Sequence, residues 1–429
     1  MAGPISNNRR VVITGLGVVA PNGVGVTDFE SALRAGRSGI EFIPQLAELK
    51  FGCQVGGIPP LTQEQIEACF TPLQLRNFNS DGIIYGVIAA VEAWKMAGLT
   101  VAEDSADPST GVIFGTGTSG IEKLNQSMKL VDAQKVRRLG SNVVIQTMAS
   151  GVSAFIAGTL GAGNQVTTNS SACTTGTEAL LMGYRHLKAG YAQRMLVGST
   201  CEHGPYLWGG FDAMHVTNYK HNDKPAAASR PMSATASGLV PGAGAGAMVI
   251  ETLESARARG AHIIAEVLGG QINSGGQRSG GTLTAPNPEA VRACIADAIS
   301  DSKIQAQEID LINGHLTATA KDPDEVAAWT EVLNLSKSEF PLIQSTKSMV
   351  GHCLSASGAV ELVATVLQID KGFVHPSLNS EDLHPDITEI IPASKVPKQL
   401  IEQPVNTAIK ASFGFGDVNA CAVLRRFNS

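Results

Sequence analysis

Two stretches of this chain, QVTTNSSACTTGTEALLMGYRHLKAG at residues 165–190 and PLIQSTKSMVGHCLSASGAVELVATVLQIDKG at residues 341–372, follow one plan. Each reads as a short β-run, a loop of small residues, and a helix that stops at a basic residue and a glycine. In the first, Cys173, Gly176, Thr177, Leu180, Leu181, Tyr184 and Leu187 keep the three-and-four spacing of a buried helical face. In the second, Leu362, Val363, Val366, Leu367 and Ile369 repeat that spacing after His352, and Lys371 with Gly372 marks the stop. A chain that uses one plan twice is directed to a duplicated fold, each half delivering a reactive side chain to the head of a central helix, with the site between the halves. Further β-rich runs at 11–14, 111–114, 194–197 and 247–250 alternate with helical patterns, which sets the class as α/β.

The chain has 429 residues, more than one ordinary core accommodates. Charged residues make up only 16% against 43% hydrophobic, so part of the surface is expected to be covered by another subunit. The net charge of −6, with no basic stretch interleaved with aromatics, argues against a nucleic-acid partner. No run of eighteen apolar residues occurs, so no membrane span is expected, and the cytoplasm is the expected location. The seven cysteines are scattered without a CxxC pair and read as thiols.

Cys173 stands in Ser171-Ala172-Cys173-Thr174-Thr175-Gly176. Small neighbours allow close approach of substrate, and a helix start offers N–H groups and a positive dipole end, both of which favour thiolate. An arbitrary cysteine is more commonly a small buried hydrophobe, but a helix entrance after a strand can combine nucleophile and oxyanion hole in one unit. His315 follows an apolar run at 309–312, and His352 opens the second helix. A lone histidine is usually a satisfied core or surface group; two at strand-to-helix corners weaken that reading. Lys347 is either a solvated lysine or the buried partner of a carboxylate such as Glu325, and position alone leaves both open. The run Gly115-Thr116-Gly117-Thr118-Ser119-Gly120 lacks the lysine of a phosphate loop and is assigned no cofactor. Neither HExxH nor tight ligand spacing is present, so no metal is assigned. Phe413 and Phe415, set among glycines at 412–416, read either as buried rings in a tight turn or as a mobile gate with a backbone N–H facing the thioester.

These residues, with Arg10-Val11-Val12-Ile13-Thr14-Gly15-Leu16-Gly17, Ser229-Arg230-Pro231, Thr284-Ala285-Pro286 and the motif at 345–352, give a sequence that resembles the β-ketoacyl-acyl-carrier-protein synthases of the thiolase superfamily over nearly its whole length. The resemblance implies a five-layered αβαβα thiolase fold of two duplicated halves, residues 1–251 carrying the nucleophile and 252–429 carrying both histidines. It implies a decarboxylative Claisen condensation in which Cys173 holds the acyl chain and neutral His315 and His352 donate hydrogen bonds to the malonyl thioester. Lys347 matches the family lysine, with Glu325 its implied partner beside Asp322. Thr317 and Thr319 match threonines that bind the pantetheine arm, and Phe415 resembles the gatekeeper whose N–H joins that of Cys173 in the oxyanion hole. The implied partner is acyl carrier protein, whose phosphopantetheine arm brings substrate; no permanently bound cofactor is implied. The assembly is a homodimer or a heterodimer with a chain-length-factor-like paralogue.

The chain departs from the family at several points. Leu316 puts a bulky side chain beside His315 where glycine is usual, which predicts an altered pocket with Leu316 and Phe413 in its lining. Met232-Ser233-Ala234-Thr235-Ala236 and Gly242-Ala243-Gly244 replace charged residues, predicting loss of an ion-pair network, and Asp417-Val418 replaces Gly-Thr. These departures point to a divergent branch, such as secondary-metabolite or polyene pathways. Two alternatives are a thiolase or starter-unit enzyme of the same fold, and a pocket-shaping chain-length-factor subunit, which typically lacks the nucleophile that Cys173 supplies here.

Overall fold

The helix that follows His352 shows why the chain needs layers on both sides of it. In α6 (Ser357–Lys371) every residue from Ser357 to Ile369 is buried, so the helix has no solvent face and must be enclosed all round. The computed structural model of the protein describes residues 9–428. Within it the first half runs β1 (Val11–Ala20), α1 (Asp81–Met96), β2 (Thr110–Thr116), α2 (Gly151–Leu160), β3 (Val166–Thr167), α3 (Thr175–Lys188), β4 (Arg194–Cys201) and β5 (Gly244–Thr252). The second half repeats that order as β6 (Ala265–Ser274), α4 (Pro288–Asp301), β7 (Leu311–Asn313), α5 (Asp322–Leu333), β8 (Leu342–Gln344), α6, β9 (Thr407–Gly414) and β10 (Val418–Arg426).

The strands pair in the order β8-β7-β9-β10-β6-β1-β5-β4-β2-β3, so each half has the same internal order. In each, the three strands farthest from the junction are parallel and the two nearest it antiparallel. The halves join where Val11, Val12 and Ile13 of β1 pair antiparallel with Val267, Glu266 and Ala265 of β6. Helices α1 and α2 cover the outer face of the first half and α4 with α5 the outer face of the second, while α3 and α6 pack on each other between the two. This is the five-layered αβαβα thiolase fold.

The central helices meet close to their N-termini through glycine. A Cβ on Gly176 would lie 2.2 Å from the Ala359 backbone nitrogen, and one on Gly358 would lie 2.6 Å from the Thr177 nitrogen. Backbone cannot withdraw as a flexible side chain can. Gly176→Ala or Gly358→Ala is therefore expected to cost at least about 1–3 kcal/mol of stability, the usual range for overpacking, measured by denaturant unfolding; an unchanged midpoint would show that the helices can separate freely.

Candidate active site

Cys173 lies in a single 3₁₀ turn, Ala172–Thr174, that joins β3 to α3. Ala172 enters that turn with φ of 48° and Leu354 enters the turn before α6 with φ of 49°, three residues ahead of each helix. The pseudo-equivalent of Cys173 is thus Ser355, whose hydroxyl donates to the Thr200 carbonyl at 2.7 Å. This corrects the expectation that His352 opens the second helix: it sits five residues before α6, just after a short helix at Lys347–Val350.

The two halves nonetheless bring Cys173, His315 and His352 together, with Sγ and one ring nitrogen of each histidine within 4.8 Å of one another. The imidazoles face each other edge-on, centroids 5.5 Å apart, and the Phe413 ring lies 6.2 Å from that of His315. His352 Nδ1 accepts the Leu354 N–H at 3.1 Å and stands 2.8 Å from Ser357 Oγ. A neutral imidazole that accepts through Nδ1 carries its proton on Nε2, so His352 is set up as a donor. His315 is held through its backbone, whose N–H donates to Glu325 Oε1 at 2.7 Å, while Leu316 N–H donates to Oε2 at 2.8 Å. Asp322 accepts from Thr317, Ala318 and Met232 N–H groups, so two carboxylates at the start of α5 fix the loop that carries His315.

Burial dominates the protonation equilibria. It pushes the Cys173 thiol up to about 11, against the opposing pull of Lys347 and of the Phe415 and Cys173 N–H groups directed at the sulfur. The resting residue is a thiol rather than the thiolate the helix start alone predicts, because desolvation outweighs the dipole. Both imidazoles fall well below the usual histidine range, chiefly through burial and then through the charge of Lys347. Asp322 and Glu325 are raised to about 6 by burial, with their backbone donors opposing.

Glu325 is not the partner of Lys347. Lys347 Nζ lies 2.6 Å from Glu361 Oε1, and Lys410 Nζ lies 2.8 Å from Glu361 Oε2, all three groups within the interior. Glu325 is already committed to the two amides above, and Glu361 on α6 was not singled out in the sequence. The signal was present as a lone acidic residue inside the apolar helical run that follows His352.

A cavity of about 330 Å³ opens onto the three groups and is lined by Thr317, Thr319, Phe413 and Phe415 among others. The two threonine hydroxyls are 3.1 Å apart at its wall. Leu316 does not line it. Its φ of 23° turns a fully buried side chain into the core with Ile312, Val326 and Trp329, so the expected obstruction beside His315 is absent. Near Ser233, Arg230 pairs with Asp382 at 2.8 Å, and the Ser233 and Thr235 hydroxyls donate to the same carboxylate.

Asp417 explains its own presence. It is buried at φ of 61°, and its carboxylate accepts Gln277 N–H at 2.8 Å and Asn287 N–H at 2.7 Å. The segment behind Phe415 is thereby tied to a second loop, 275–287, that borders the same cavity.

Cys173, His315 and His352 also form a possible metal-ligand set, although spacing in the sequence argued against one. The ammoniums of Lys347 and Lys410, whose charge acts on both imidazoles, oppose a cation there.

Fold and site together define an acyl-transferring enzyme built on a duplicated thiolase scaffold. Residues 8–256 match the family described as β-ketoacyl synthase, N-terminal domain, and residues 264–381 match its C-terminal domain. A putative mitochondrial 3-oxoacyl-[acyl-carrier-protein] synthase of Schizosaccharomyces pombe is 32% identical, over 98% of this chain and 99% of its own. Among solved structures, the ishigamide ketosynthase/chain length factor is similar with TM-score 0.86 and 29% identity, over 98% of this chain and 100% of its own. A type II polyketide-synthase acyl-carrier protein in complex with its hexaketide-bound ketosynthase gives TM-score 0.82 and 28% identity over the same shares. The chain belongs to the β-ketoacyl synthase family.

Asp417→Ala removes the acceptor of the Gln277 and Asn287 amides, the second of them buried and worth about 1–3 kcal/mol when orphaned. Amide exchange at Gln277 and Asn287 should quicken at least about tenfold; unaltered exchange at both would show that the loop is held by other contacts.

Proposed function

We propose that this chain extends an acyl thioester by two carbons through decarboxylative Claisen condensation, with Cys173 as nucleophile and His315 and His352 as donors to the developing enolate. The observation that carries the reading is the Leu354 N–H donated to His352 Nδ1, which leaves the proton of a neutral ring on Nε2, in a residue that shares the site with a buried cysteine. In the first half-reaction the Cys173 sulfur attacks the incoming thioester, and the proton it loses is the one gained by the departing pantetheine sulfur. The tetrahedral oxyanion is met by the N–H groups of Cys173 and Phe415, the pair already directed at the sulfur.

In the second, a malonyl thioester enters by way of Thr317 and Thr319. Loss of its carboxylate as carbon dioxide leaves the electron pair as an enolate, stabilised by the imidazole donors. The enolate carbon attacks the acyl group on Cys173, and the thiolate expelled takes a proton from water. Preorganised donors at a charge that develops only in the transition state are the larger effect here, because dipoles already in place need no reorganisation.

The carrier of both thioesters is an acyl carrier protein with its phosphopantetheine arm, and no resident cofactor is needed. The halves 1–251 and 252–429 act as one unit, because the first supplies the nucleophile and the second the donors. A second subunit, either a copy of this chain or a chain-length-factor-like paralogue, would cover the exposed Leu124, Met128, Val131, Val136 and Val144. No described helix is long and apolar enough to cross a membrane.

Cys173→Ala should fold yet take up no acyl group from acyl carrier protein, read by intact mass; a full adduct on this variant would end the proposal. His352→Ala should slow malonyl decarboxylation by about 10²–10³-fold, the cost of one such donor, while acylation of Cys173 falls far less. Equal losses in the two half-reactions would remove the assigned role. Native mass spectrometry should give a dimer, and a strictly monomeric protein with full activity would contradict a subunit-covered surface.

A further inference from the structure

The charge buried beneath the cavity exceeds what one lysine and one glutamate would supply. The Glu361 carboxylate is shared between Lys347 on one oxygen and Lys410 on the other. Lys410 is fully buried in β9, where its ammonium also donates to the Ala411 carbonyl and, at 3.2 Å, to the Ser412 hydroxyl. That hydroxyl is 2.9 Å from Thr177 Oγ1 on α3. The ammonium therefore links the strand that carries Phe413 to both central helices.

A second buried ammonium carries a large desolvation cost that an apolar side chain would avoid. Its compensation is visible on α5 as well as α6. Glu361, Glu325 and Asp322 are three buried carboxylates behind the thiol and imidazoles, and Lys347 alone would leave two of them without a counter-ion. Lys410 halves that excess. An enolate is itself an anion, and an anionic background opposes it while drawing protons onto the imidazoles that must remain neutral donors.

Resting on the reaction proposed above, we infer that Lys410 is a positioning residue for the condensation: by offsetting the buried carboxylates it keeps His315 and His352 neutral and allows an anion to form at their donor atoms. The direction of both histidine shifts agrees, since Lys410 adds to burial and Lys347 in lowering each. Burial lowers the Lys410 ammonium below the usual lysine range, against the opposing charge of Glu361 and, to a lesser degree, of Glu325; Cys421 of β10 and His375 beyond α6 also face the cluster. Burial holds both of these latter groups uncharged at neutral pH, so neither replaces the missing cation.

The test is a ¹⁵N-histidine NMR titration of the full chain as wild type, Lys410→Met and Lys410→Arg, alongside the pH profile of malonyl–carrier decarboxylation. In Lys410→Met the midpoints of His315 and His352 should rise by roughly half a unit or more, and the acid limb of the profile should move up with them. Lys410→Arg should keep the wild-type midpoints. If Lys410→Met does not fold, Lys410→Gln, which can keep the Ser412 contact without the charge, takes its place. Unchanged midpoints in a folded neutral variant, or an equal shift in the arginine variant, would overturn the inference. The titration needs no substrate, so a wild type that fails to decarboxylate malonyl carrier sinks the proposed reaction while leaving the titration to decide the role of Lys410.

Discussion

The rest of the structure depends on the contact between two glycines and two helix backbones at the molecular centre. Gly176 and Gly358 let α3 and α6 approach until each would exclude a methyl group from the other. That approach places the turns before both helices side by side. Cys173 from one half then faces His352 from the other, and neither half alone contains the site.

The central position also sets the electrostatics. Helices enclosed between the two halves of the sheet hold their polar groups away from water, where charges interact strongly and unpaired ones are costly. The same burial raises the Cys173 thiol and lowers both imidazoles, so the resting site is uncharged at the reacting atoms. Its ions, Lys347, Glu361 and Lys410, are set behind them and matched to one another.

Much of this was legible in the sequence because it is periodic or local. The buried face of α3 and the stop at Gly372 follow from spacing, and the duplicated plan at 165–190 and 341–372 corresponds to the repeated strand order. What escaped was three-dimensional partnership. Glu361 pairs with Lys347 across a turn of chain that no spacing rule covers, while Glu325, nearer in motif terms to His315, is occupied by backbone amides. Leu316 was misread for a related reason: a residue adjacent to a catalytic position need not point toward it, and its positive φ directs the side chain into the core. The pseudo-equivalence of Cys173 with Ser355, rather than with His352, rests on the matching positive φ of Ala172 and Leu354, which residue identities do not disclose.

The hydrogen bonds of His352 narrow the chemistry further than the presence of two histidines could. With Nδ1 engaged by the Leu354 N–H, the other nitrogen of a neutral ring carries the proton and has no lone pair with which to take another. A condensation that began by removing a proton from carbon would need a base at that point. One that begins by releasing carbon dioxide needs none, because the carboxylate leaves its electron pair behind and the enzyme has only to stabilise the resulting oxygen anion. The arrangement of donor and buried cation in this site thus favours a malonyl over an acetyl nucleophile, and with it decarboxylative over proton-abstracting condensation.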